Sequence, residues 1–191
     1  MIERTASKWP ECDLPDGLLA VRAAEGDEDA FAVLVRRHSR PLLTLALCML
    51  GSPQDAEDAV QEAFVSAWRR LPEYRHGAEF RTWMYRITVN RCLTMRGRRP
   101  APLPLGTAAE PVAGDAWSQP ERVAEQDAAA ADLTRALAGL DAGQRICWIL
   151  REVQGLPYKE IAHVTRTSEP TVRGRLFRAR RSLQEAMGPW R

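Results

Sequence analysis

The sequence predicts an all-α fold: two small helical domains joined by a flexible linker rich in proline, alanine and acidic residues. Three observations carry this reading. Apolar residues recur at helical spacing in successive segments bounded by cap and stop residues. Between Pro100 and about Glu121 the composition changes, with Pro100, Pro102, Pro104, Pro111 and Pro120 set among alanines, glycines and acids. Beyond it, a short helix, a tight turn and a longer basic helix follow one another as in a helix-turn-helix. At 191 residues the length alone allows one large domain or two small ones, each near the lower size at which a core holds alone.

Composition narrows the function classes. Apolar content of 45% is ordinary for a folded soluble protein. The longest apolar run, Pro41 to Leu50, is broken by Thr44 and is too short to cross a bilayer, so no membrane insertion is expected. The polar N-terminus, with Pro10 and Pro15, looks neither secretory nor transmembrane. Cys12, Cys48, Cys92 and Cys147 lack CxxC spacing and suggest reduced cytosolic thiols rather than a disulfide framework or a metal site. His38, His76 and His163 share no ligand spacing with them and read as structural or surface histidines. No cofactor is expected, and no catalytic grouping or phosphate-binding glycine loop appears. Net charge is only +2, but it is distributed in alternating acidic and basic blocks, which implies several different surfaces.

In the first domain, residues 16–25 read as a short helix stopped at Gly26, and Asp27 caps the next one, whose Ala30, Phe31, Leu34 and Val35 lie at helical spacing. Pro41 should bend or restart that helix, and Gly51 should close it. Ser52-Pro53-Gln54-Asp55 is a strong helix start, with serine as N-cap, proline at the first helical position and acid in the first turn. The helix runs to Leu71 before Pro72, with an apolar face including Ala59, Val60, Ala63, Phe64 and Ala67. Asp55, Asp58, Gln61 and Glu62 lie off that face. By residue type alone they read as a solvated acidic face.

The segment Phe80 to Arg99, FRTWMYRITVNRCLTMRGRR, holds three aromatics and six arginines. Phe80, Trp83, Met84 and Ile87 make a core stripe, while Arg86, Asn90 and Thr94 follow one another along a polar strip. Val89 and Leu93 sit nearly opposite the stripe and blur it. Such a helix suits a polyanion in a groove, or a solvated arginine face.

The second domain opens with an alanine-rich helix over about 122–140. Asp141 caps the next, whose Ile146, Ile149, Leu150 and Val153 should face inward before Gly155. Pro157 opens a short helix, and Ser168 caps the last. In that final helix Val172, Leu176, Ala179, Leu183, Ala186 and Met187 form the expected buried stripe. Arg173, Phe177, Arg178 and Arg181 stand on the other face, a combination that base-edge and phosphate contact would use.

Three blocks now resemble one family: DAEDAVQEAFVSAW (55–68), FRTWMYRITVNRCL (80–93) and LREVQGLPYKEIAHV with SEPTVRGRLFRARRSL (150–183). In that order and spacing they look like bacterial sigma factors of the extracytoplasmic-function (ECF) class. The resemblance implies a sigma region 2 domain at 17–99, a linker at 100–125 and a region 4 domain at 126–187, with tails at 1–16 and 188–191. It implies a cytoplasmic protein, not an enzyme, that binds core RNA polymerase and directs initiation at promoter DNA, helping to melt it. Asp55, Asp58, Gln61 and Glu62 would contact the β′ clamp helices, and region 4 would dock on the β flap. The −10 element would be met by Arg81, Trp83, Arg86, Asn90, Arg91 and Arg96. Arg75 and His76 would join them from the 75–79 connector, which matches a loop that captures an unpaired base. The −35 element would be met by Thr171, Arg173, Gly174, Phe177, Arg178 and Arg181. An anti-sigma factor is an expected partner, though no motif for it is visible.

Pro170 stands where the family often has glycine and Gly174 where it often has serine, which bears on fine −35 preference. No extra domain is expected after Met187. Elements some 17 base pairs apart lie roughly 55–60 Å from one another. A linker of about 25 extended residues reaches about 85 Å, enough to serve both. A helix-turn-helix regulator acting without polymerase would explain the last helix, but neither the acidic face nor the second basic helix beyond a long linker. A purely structural helical protein would not need arginine concentrated on two helices.

Overall fold

A computed structural model of the chain describes residues 14–74, 79–98, 133 and 135–186. The elements are α1 (Asp16–Ala24), α2 (Glu28–Leu50), α3 (Pro53–Arg70) with a 3₁₀ turn Leu71–Glu73, and α4 (Phe80–Arg98). After a helical stretch at 135–138 come α5 (Ala142–Trp148), continuing through a π-helical segment Ile149–Val153, then α6 (Tyr158–Thr165) and α7 (Glu169–Ala186). Among the described residues there is no strand. Residues 1–13 of the N-terminal tail, the C-terminal tail, the 75–78 part of the connector, the 100–125 linker, most of the alanine-rich helix, Cys12, His76 and Met187 lie outside them.

The helix starts follow from the sequence. The Asp27 carboxylate accepts from the Ala30 amide at 3.0 Å, and the Ser52 hydroxyl accepts from the Asp55 amide at 3.3 Å. Asp141 accepts from the amides of Gly143 and Gln144. Each satisfies donors that a helix N-terminus leaves unpaired. Gly51 closes α2 in the left-handed region at φ 71°, a backbone conformation that glycine adopts without strain.

Three expectations need correction. Pro41 does not restart α2, which is continuous from Glu28 to Leu50. The bundle packed around it holds the helix through the missing amide, with Leu42, Leu45 and Ala46 buried just beyond. Val153 is exposed rather than inward, because the π-helical turn carries it off the stripe of Ile146, Ile149 and Leu150. Ala186 is also exposed, at the end of α7, one turn past the last buried residue, Leu183.

Helix α2 is the spine of the first group, packed by α1, α3 and α4. Asp16 pins α1 to it, accepting from Arg37 at 2.6 Å and meeting His38 at 2.7 Å. Phe31 packs on Phe64 and Trp68 between α2 and α3. In the second group, Val172 and Leu176 of α7 close over Ile146 and Cys147 of α5 and Ile161 and Val164 of α6. Ala179 and Leu183 pack with Leu137 and Leu140. Arg166 takes φ 51° at the turn between α6 and α7, the one non-glycine residue with positive φ among those described.

The two groups also pack on each other. Helix α4 meets α6, and one continuous apolar core runs from α1–α4 into α5–α7. This is why α4 is buried beyond its predicted stripe. Thr82, Tyr85, Thr88, Val89 and Cys92 are buried along with Phe80, Met84 and Ile87.

Candidate polymerase and nucleic-acid interfaces

On α3 the apolar face predicted from spacing is buried, and the acidic side faces out. Asp58, Gln61 and Glu62 are exposed, while Asp55 is half-buried in the first turn. Glu62 pairs with Arg91 of α4 while keeping half of its own side chain exposed. Two residues assigned by sequence to different surfaces therefore meet at a shared border between an acidic helix side and a basic one.

On α4 the polar strip survives docking. Asn90 and Thr94 are exposed and Arg86 is half-buried. The Thr94 hydroxyl donates to the Asn90 backbone carbonyl at 2.9 Å. Burial lowers the Arg86 pKa, and the neighbouring cations Arg166 and Arg70 lower it further. Arg86 thus lies near two other cations, one on each helical group. Arg96 is half-buried, near Arg145. Trp83 is half-buried, its ring 5.0 Å from Tyr74 and 5.7 Å from Phe80, so it belongs to an aromatic wall at the start of α4. Arg81 lies 4.0 Å from Glu79 and 3.8 Å from Glu160 of α6. Arg75 and His76 lie outside the described residues.

On α7 the predicted outer face is solvent-facing. Phe177 is 69% exposed, the most exposed large apolar side chain among the described residues. Arg173 lies 3.6 Å from Glu169 and over the Tyr158 ring, and Arg181 is held by Glu185 at 3.0 Å. These i, i+4 pairs are exposed and weak, so they orient the guanidinium groups without sequestering them. Arg178 is exposed beside Gly174, where an added Cβ would sit 3.6 Å from the guanidinium. Ser168 caps the helix through the Thr171 amide and shares a hydroxyl contact with Thr171 at 2.9 Å.

Sequence reasoning missed the residues that join the two groups: Thr82, Tyr85, Arg145, Gln154 and Glu160. The blurred periodicity of α4 was the available signal, since a helix apolar on two sides is buried on two sides. Arg145 gave none. It is 3% exposed, and its guanidinium donates to the carbonyls of Met49, Ala138 and Leu140. Burial holds its pKa down to about 10, with Arg96 adding to the effect, which still leaves it charged at neutral pH.

Among the described residues no cluster of histidine, cysteine and carboxylate could hold a metal ion. Cys48, Cys92 and Cys147 are free thiols. Burial pushes Cys92 up to about 12 and raises Cys48 and Cys147, so all three favour the unreactive protonated form. No helix among the described residues is long and apolar enough to cross a membrane.

Two family models match the chain, Sigma-70 region 2 over residues 34–99 and Sigma-70 region 4 over residues 130–183. The chain is 36% identical to the RNA polymerase sigma-H factor of Pseudomonas aeruginosa over 182 residues, covering 91% of this chain and 94% of that one. It is 35% identical to the ECF RNA polymerase sigma-E factor of Escherichia coli over 184 residues, covering 92% and 96%. Among solved structures it is similar to CnrH in complex with the cytosolic domain of CnrY, with a TM-score of 0.71, 29% identity and coverage of 91% and 97%. The fold also matches the sigma factor RpoE of Bartonella quintana, solved with the anti-sigma factor NepR, at a TM-score of 0.62, 23% identity and coverage of 83% and 96%.

Proposed function

Because the chain belongs to the ECF sigma factors, which direct promoter recognition by RNA polymerase, we propose that three of its outward faces divide that work. The acidic side of α3, with Asp55, Asp58, Gln61 and Glu62, binds the β′ clamp helices. The outer side of α4, with Arg86 and Asn90 on its polar strip and Arg81, Trp83, Arg91 and Arg96 beside it, meets the −10 element, helped by Arg75 and His76. The exposed face of α7, with Thr171, Arg173, Gly174, Phe177, Arg178 and Arg181, meets the −35 element while its domain docks on the β flap. The domains run over residues 17–99 and 126–187.

The observation that carries the reading is that α3 and α7 each expose one polar side opposite a buried one, while α4, buried on two sides, keeps Asn90 and Thr94 exposed. The exposed members, such as Asp58, Glu62, Asn90, Phe177 and Arg178, are free to engage a partner without disturbing the core. Chemistry then sorts their roles. Arginine on phosphate supplies affinity and salt dependence, while an amide such as Asn90, both donor and acceptor, can discriminate a base edge. Holding a base out of the stack near the 75–79 connector costs a few kcal/mol, which phosphate contacts nearby can offset. RNA polymerase does the bond-making, and the sigma factor supplies position. An anti-sigma factor is a further expected partner, as NepR is for the RpoE above.

Reversing charge at Asp58 and Glu62 tests the first face. Pull-down with core RNA polymerase should weaken while the circular dichroism of the chain stays unchanged. Unaltered capture of core enzyme would move the polymerase-binding surface elsewhere.

A further inference from the structure

A cavity of about 230 Å³ opens between α4 and the second helical group, and none of the three faces above accounts for it. Its lining comes from α4, α5, α6 and α7. Val89, Ile146 and Val164, all buried, give it an apolar side. Asn90, Arg166 and Arg175 line it as well, bringing one amide and two guanidinium groups to the same space. A Cβ added at Gly143 would sit 2.9 Å from the guanidinium carbon of Arg175, so only glycine lets that cation approach the start of α5 so closely. The Asp141 carboxylate beside it accepts from the Gly143 and Gln144 amides. Among the described residues neither Arg166 nor Arg175 enters an ion pair. Arg166 closes α6 at φ 51°, a conformation that glycine takes freely and that strains a residue with a Cβ. The turn itself therefore gives no reason for an arginine there, whereas the cavity that it lines does. Arg86, one turn before Asn90, lies near Arg166 and adds a further cation.

We propose that this cavity is a binding site for a nucleoside phosphate, with the base seated on Val89, Ile146 and Val164 and the phosphates held by Arg166 and Arg175. The volume lies just under the range that encloses a drug-sized ligand, so one ring system fits inside and the charged end stays at the mouth. An apolar wall takes the face of a base. The Asn90 amide, both donor and acceptor, suits its edge, and guanidinium groups suit phosphate oxygens. The site stands whether or not Asn90 also meets DNA. Because α4 forms one wall and α5–α7 the other, the ligand binds the packed arrangement of the two groups and stabilises it by mass action.

The test is titration calorimetry of the full chain with ADP, inorganic pyrophosphate and adenosine. ADP should bind with a dissociation constant of about 0.2 mM, about ten-fold tighter than either part alone. At about 5 mM it should raise the melting midpoint by roughly 2–4 °C. Arg166→Gly removes one guanidinium and relieves the left-handed strain, so the unliganded chain stays folded while ADP affinity falls about ten-fold. Ala142→Trp, at an exposed position that lines the cavity, fills its mouth and should abolish ADP binding. Arg178→Ala, on the outer face of α7, should bind ADP like wild type. Pyrophosphate binding as tightly as ADP would leave an anion patch without a base site and overturn the proposal. ADP binding that survives Ala142→Trp, or that Arg178→Ala weakens as much as Arg166→Gly does, would put the nucleotide elsewhere on the molecule and overturn it too. A melting midpoint that ADP does not move would do the same.

Discussion

Helices α4 and α7 are both long, basic and assigned to DNA, yet they are built differently. In α7 one stripe, Val172, Leu176, Ala179 and Leu183, is buried and everything opposite is exposed. In α4 the buried set wraps around the helix, taking in Thr82, Tyr85 and Val89 on the side of α5–α7 as well as Phe80, Met84 and Ile87 on the side of the first bundle. A helix packed on one side can present a wide reading face. A helix packed on two sides keeps only a narrow strip, with Arg81 and Arg91 beside it paired to neighbouring helices. The difference suggests that α7 supplies affinity over a broad surface while α4 supplies discrimination at few positions.

The sharpest way to break this comparison is to mutate the two sides of α7. Leu176→Ala removes a fully buried side chain and should destabilise the chain by about 2–5 kcal/mol in urea unfolding. Phe177→Ala, at the next residue, should change stability by less than about 0.5 kcal/mol yet weaken −35 footprints. If both behave alike, α7 is not one-sided. Next in size is Arg145→Ala. It strips partners from carbonyls in both helical groups and should cost about 1–3 kcal/mol, measured by the same unfolding. Replacing an α7 arginine that reads a base should likewise cost about 1–3 kcal/mol of binding and relax specificity at that base. Footprints left intact after Arg173, Arg178 and Arg181 are all replaced would take α7 out of the interface.

Most of the fold was legible because its signals are local. Asp27, Ser52 and Asp141 cap where the sequence places them, and the stripes of α3 and α7 are buried nearly as spaced. What was not legible depends on long-range packing. Thr82, Tyr85 and Arg145 bear polar groups that reveal their burial only through partners 78, 69 and 96 residues away. Val153 was misplaced because a π-helical turn has no periodic signature of its own in so short a segment. The exposure of Asn90 and Phe177 was readable from residue type and helix face. The pairing of Glu62 with Arg91 was not, since it joins two helices whose facing sides no single-helix pattern reveals.

The smallest expected effect is at His38. Burial lowers its pKa against the opposing pull of Asp16, so the folded state favours the neutral ring. Its contribution is present above the unfolded value of about 6.5 and fades as the pH falls through it. His38→Gln should therefore flatten the pH dependence of the melting midpoint between about pH 7 and 5, with a shift of a few degrees at most. A slope unchanged by the substitution would show that the ring does not titrate with folding.

The narrow strip of α4 is tested most directly by a library of −10 sequences transcribed by holoenzyme carrying Asn90→Ala or Arg96→Ala. Asn90→Ala should change preference at one or two −10 positions with core binding and salt dependence intact. Arg96→Ala should lower every sequence alike and reduce the salt slope by about 0.9. An Asn90→Ala profile parallel to wild type at every base would contradict the assignment of discrimination to α4.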